Sequence, residues 1–111
     1  MRSTYIGAKT MKVTTTIIGD RGVLAIEGRF QYDAVMDYRQ VMEPLAGNPD
    51  LQHMEIDMSQ TTYIDSSALG VLLVTRDMAR KTKKSIALTN CRGDVLQVLN
   101  IARFDTLFTI T

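Results

Sequence analysis

The chain holds one cysteine and one histidine in 111 residues, and aromatic side chains make up only 6% of it. The lone Cys91 excludes an internal disulfide framework, and one cysteine with one histidine cannot furnish a Cys/His zinc site. No metal or cofactor is expected. Charge is equally uninformative: 13 basic residues against 12 acidic ones leave a net charge of +1. Nothing in that balance points to nucleic acid, a membrane surface or an acidic substrate. No apolar run approaches the roughly 18 residues of a spanning helix, so no membrane insertion is expected. Glycine-rich phosphate loops are absent, and the N-terminus lacks an apolar signal core. With so little cysteine, a reduced, cytoplasmic setting is the expectation.

What the chain does have is alternation of strand and helix signals. Residues 1–10 carry no clear period and are expected to form an N-terminal extension, with Met11 as an alternative start. From Lys12 to Ile18 the β-branched density predicts a strand. Gly19-Asp20-Arg21-Gly22 is a turn signal and Val23 to Glu27 a second strand, giving an opening hairpin that Gly28-Arg29-Phe30 ends. A helix is expected over Asp33 to Ala46, with Asp33 as cap and Val35, Tyr38, Met42 and Leu45 as its buried stripe. Pro44 is expected to bend its last turn, and Gly47-Asn48-Pro49 stops it.

The strand His53 to Met58 places Met54, Ile56 and Met58 on one face and His53, Glu55 and Asp57 on the other. A helix follows from Ser66 to Lys81, with Leu69, Leu72, Leu73, Arg76 and Ala79 facing a sheet. A short strand Ser85 to Thr89, a helix Gly93 to Ala102 on Val95, Leu96, Val98 and Leu99, and a strand Thr106 to Ile110 complete the order β-β-α-β-α-β-α-β. Strands alternating with helices after a hairpin imply a single α/β domain with a mixed sheet, spanning residues 11–111. Right-handed crossovers put the helices on one side.

The informative stretch is Asp57 to Val74. A short polar segment leads to Asp65-Ser66-Ser67 at the mouth of an apolar helix. Asp65 or Ser66 can accept from the helix's free N–H groups, which is ordinary capping. Ser67 then lies in the first turn at the positive end of the helix dipole, where a phosphate meets backbone donors. Asp57-Met58-Ser59 followed by Tyr63-Ile64-Asp65-Ser66-Ser67-Ala68-Leu69-Gly70 resembles the signature of STAS domains, in particular that of bacterial anti-sigma factor antagonists. Ala68 stands where that motif carries Gly, which stiffens the first turn and adds a methyl beside the site.

The resemblance implies a protein-binding module, not an enzyme. By it, Ser67 is the phosphorylation site, with Asp65, Ser66, Ala68, Leu69 and Gly70 as its neighbours. Tyr63, Asp65, Ser66 and Ser67 form the partner-binding surface. It further implies an anti-sigma factor and/or a serine kinase as partners, a PP2C-type phosphatase that resets the site, and release of a sigma factor as the outcome. The same fold also serves as a non-switching subunit or scaffold of a transporter or signalling complex.

Other chemistry is weakly supported. A nucleophile elbow needs Gly-x-Ser-x-Gly, and no glycine flanks these serines at that spacing. His53, the one candidate base, precedes the motif on a strand. Asp57 at a strand end resembles a receiver carboxylate, yet the acidic cluster that would hold a divalent ion near the first strand is missing. Arg76, Arg80, Lys81, Lys83 and Lys84 suit a helix C-terminus and a solvated loop, and no aromatics interleave with them as a single-strand binder requires. Cys91 is expected as a small buried hydrophobe.

Overall fold

A computed structural model describes the main chain of residues 2–7 and the whole of residues 10–111. Its elements are β1 Arg2–Gly7, β2 Met11–Ile18, β3 Arg21–Phe30, α1 Val35–Ala46, β4 His53–Ile64, α2 Ser66–Lys81, β5 Ser85–Thr89, α3 Gly93–Ile101 and β6 Thr109–Ile110. Short 3-10 turns, Tyr32–Ala34 and Phe104–Thr106, precede α1 and follow α3. From Met11 onward this is the expected order; β1 comes before it, antiparallel to β2. The sheet runs β1-β2-β3-β4-β5-β6, with β2–β3 antiparallel and every later pairing parallel.

The register explains where the core lies. Val13 pairs with Ile26, Leu24 with Ile56, and Ile56 with Leu88, so these side chains line up on one face. All five are fully buried. The helices cover that face, as right-handed βαβ crossovers require. The opposite rows, Thr14-Ala25-Asp57-Thr89 and Thr16-Val23-Glu55-Ala87, are only half-buried.

Several boundaries depart from expectation. β3 does not stop at Glu27. Gly28 takes φ +98 at a register shift, and the strand continues to Phe30 beside Tyr63 and Ile64. β4 likewise runs past Met58 to Ile64, because the polar segment keeps pairing with the far half of β3. Asp33 is not a cap: it lies in the 3-10 turn, and α1 starts from Ala34 without a side-chain cap. The buried face of α1 is Tyr38, Val41, Met42, Leu45 and Ala46, with Val35 only partly covered. The buried face of α2 is Ala68, Val71, Leu72, Thr75 and Ala79. Leu69 is half-buried and Leu73 is 37% exposed, so the α2 face expected from Leu69, Leu73 and Arg76 is rotated. The last strand is only Thr109–Ile110, because Arg103 in the left-handed region redirects the chain into a turn that buries Phe104 and Phe108.

Gly28 also meets the preceding loop. A Cβ there would lie 2.5 Å from the Thr10 carbonyl oxygen, and that carbonyl accepts the Arg29 N–H at 2.9 Å. A main-chain oxygen cannot swing aside like a side-chain tip, and φ +98 is costly for any residue with a Cβ. Gly28→Ala is expected to destabilise by about 2–3 kcal/mol, lowering Tm by roughly 10 °C or more. Thermal unfolding with an unchanged Tm would show that the loop relaxes freely.

Candidate functional site

The site forms where the C-terminal ends of β3 and β4 deliver the chain into α2. The Asp65 N–H donates to the Phe30 carbonyl at 3.3 Å, which fixes the turn against β3. Its carboxylate then does two things. Oδ1 accepts the Ala68 N–H at 2.9 Å, the standard N-cap bond, and Oδ2 accepts the Tyr32 N–H at 3.0 Å. Asp65, not Ser66, is therefore the cap. The Leu69 N–H closes the first turn on the Asp65 carbonyl at 3.1 Å.

Ser66 and Ser67 occupy the first two helical positions, and both are exposed. Among the described residues neither hydroxyl makes a side-chain hydrogen bond. The Ser66 and Ser67 amides have no acceptor inside the helix, as first-turn geometry dictates. Ser67 is thus an accessible hydroxyl beside free backbone donors at the positive end of a 16-residue helix. Ala68 is fully buried, so its methyl packs into the core and does not crowd the Ser67 surface.

Tyr63 is 40% exposed, with the Arg29 guanidinium carbon 4.1 Å from its ring centroid. Such a cation–π contact holds the ring flat at the rim of the site. One neighbour was not legible in the sequence: Tyr32, whose N–H binds Asp65, is 74% exposed and lies in the 3-10 turn before α1.

The other candidates lie elsewhere. His53 sits at the opposite end of β4 from the serines. Its Nδ1 is 2.6 Å from Ser85 Oγ, and its Nε2 is 3.9 Å from Asp20 Oδ2. These are triad-type groups, but they lie on an open surface remote from Ser67. Asp57 is partly buried, which raises its carboxyl pKa. Hydrogen bonds from the Ser59 N–H at 2.9 Å and Asn90 Nδ2 at 3.0 Å outweigh that and hold it below the ordinary value. Burial, with the Asp57 charge adding to it, pushes the Cys91 thiol up to about 11, so the thiolate is scarce. The basic cluster is dispersed: Lys84 is buried, and Arg76 Nε donates to the Leu107 carbonyl at 2.9 Å. Among the described residues no group of three or more metal-binding side chains occurs, and no helix is long and apolar enough to cross a membrane.

Residues 13–109 match the family model described as Mlab, STAS domain. The chain belongs to the STAS-domain family. A STAS-domain containing protein of Pseudomonas aeruginosa (strain UCBPP-PA14) is 39% identical over 93 residues, covering 84% of this chain and 90% of that one. Among solved structures, an anti-sigma factor antagonist from Mycobacterium paratuberculosis superposes with TM-score 0.82 at 15% identity, covering 95% of this chain and 89% of that one. The anti-sigma factor antagonist SpoIIAA of Bacillus, solved in its phosphorylated form, gives TM-score 0.70 at 13% identity, covering 89% and 90%. At these identities the likeness is one of fold. In this STAS domain the fold brings Tyr63, Asp65, Ser66, Ser67 and Gly70 to one surface and sends Ala68 into the core.

Proposed function

We propose that this STAS domain is an anti-sigma factor antagonist switched by phosphorylation of Ser67. The observation that carries the reading is the exposed Ser67 hydroxyl in the first turn of α2, beside unclaimed amides and a cap supplied by another residue, Asp65. A phosphate can be added there without breaking the helix beneath it. In the unmodified state the surface around Tyr63, Asp65, Ser66 and Ser67 binds an anti-sigma factor and so frees a sigma factor. A serine kinase, which can be the anti-sigma factor itself, adds the phosphate, and a PP2C-type phosphatase removes it. The domain catalyses nothing itself and works in the cytoplasm, with residues 11–111 as the functional unit and 1–10 as an extension.

The test is incubation with the cognate kinase and ATP, followed by mass spectrometry of the wild type and of Ser66→Ala and Ser67→Ala. Phosphate is expected on the wild type and on Ser66→Ala, and not on Ser67→Ala. Phosphate on Ser66 or on Thr62 moves the site. A chain that no kinase modifies fits instead a constant contact surface, as in a STAS subunit of a transporter or signalling complex.

A further inference from the structure

On α2 the 3.6-residue period sets Ser66, Ser67, Gly70, Leu73 and Asp77 along one exposed stripe. Gly70 is the anomaly in it. It does not have the positive φ that demands glycine, since the positive-φ glycines are Gly19, Gly28 and Gly93. A Cβ built on it would meet nothing within 4 Å. Neither the backbone nor the packing of this chain asks for glycine there, and glycine inside a helix costs stability relative to alanine. By contrast Gly22, also within a regular element, is explained from inside: its Cβ would press on Leu51 and Leu45 at 2.8–2.9 Å.

We infer that Gly70 is a specificity-determining contact for the anti-sigma partner, which brings its main chain or a small side chain against α2 one turn beyond Ser67. The inference rests on the functional reading above and sharpens it. The bare stretch lets the partner pack at the short end of the 8–10 Å helix-packing range. Leu73, exposed one turn further on, offers the apolar contact that flanks it. The partner segment is therefore flat and small opposite Gly70 and apolar opposite Leu73. A partner seated this closely leaves no room for a phosphate on the preceding turn, so the same contact makes binding sensitive to Ser67.

The experiment compares wild type, Gly70→Ala and Gly70→Leu in thermal unfolding and in calorimetric binding to purified anti-sigma factors of the source organism. Gly70→Ala is expected to raise Tm by about 2–6 °C through helix propensity. Its affinity is expected to fall about tenfold, and that of Gly70→Leu further still. A lower Tm for Gly70→Ala would make the glycine structural and overturn the inference. Wild type and both variants binding with equal affinity would overturn it while leaving the anti-sigma reading intact. Failure of every anti-sigma factor to bind the wild type would remove both readings together.

Discussion

Phosphorylated Ser67 is expected to bind the anti-sigma partner at least about a hundredfold more weakly than the unmodified protein, a difference near 2.8 kcal/mol. Phosphorylation adds about two negative charges to a surface that the partner must desolvate. An unpaired charge buried in an interface costs several kcal/mol, which exceeds the stated loss. The same charge is well tolerated in the free protein. It sits at the N-terminus of α2, where the Ser66 and Ser67 amides are unclaimed and the dipole contributes about 0.3–1 kcal/mol in its favour. Tm is therefore expected to stay within about 2 °C, while affinity collapses. Ser67→Asp should reproduce the effect in part, since one carboxylate has half the charge and reaches less far. Titration calorimetry paired with thermal unfolding checks both halves. Equal affinities for the two forms would rule out the switch. A large drop in Tm would show instead that the phosphate displaces Asp65 from its cap.

The second large effect lies beneath that surface. Tyr38→Ala is expected to destabilise the domain by about 3–5 kcal/mol, whereas Tyr38→Phe should cost only about 0.5–1.5 kcal/mol. Tyr38 is fully buried on α1, its ring 4.8 Å from that of Phe30. Its hydroxyl is 2.7 Å from Thr75 Oγ1 on α2, and that threonine donates its own proton to the Val71 carbonyl at 2.8 Å. Tyr38 must then be the donor of the pair. Burial raises its pKa, more than the Thr75 contact lowers it, so the phenol keeps its proton throughout the ordinary range. Most of the Ala loss is the ring and the cavity it leaves, and the remainder is one hydrogen bond. Urea unfolding of the two variants separates these. A Phe variant as unstable as the Ala variant would place the whole effect in the hydroxyl and contradict the packing account.

The α/β class, the mixed sheet and the limits of α2 and β5 were legible in the sequence because their signals are local. Asp65 is a capping residue followed within three residues by an apolar run, and Ser85–Thr89 is short and bounded by a lysine run and Asn90. The phase of α2 was not legible. Leu69 to Val74 is apolar at every position but Gly70, so periodicity there favours no face, and only packing exposes Leu73 while burying Thr75. The far halves of β3 and β4 were hidden for a different reason. Two register shifts against β3 each put an extra residue into β4 and break its two-residue alternation after Met58, while β3 keeps its alternation but carries Gly28, which reads as a strand end. At the site, Ser67 was readable as a first-turn serine. The bond from the Tyr32 N–H to Asp65 joins residues 33 positions apart and has no local trace.

Strand order that follows chain order has a consequence for how the molecule is made. Each strand pairs only with its neighbours in the chain, so no later segment must thread between two earlier ones. As the polypeptide leaves the ribosome, the β2–β3 hairpin needs no later strand for its pairing, and each βα unit that follows adds to an edge already waiting for it. When Asp65 emerges, the Tyr32 amide that will occupy its second oxygen has long been translated. Ser67 is thus delivered onto a platform already laid down, and the strands that follow α2, β5 and β6, extend the sheet on the side away from β3.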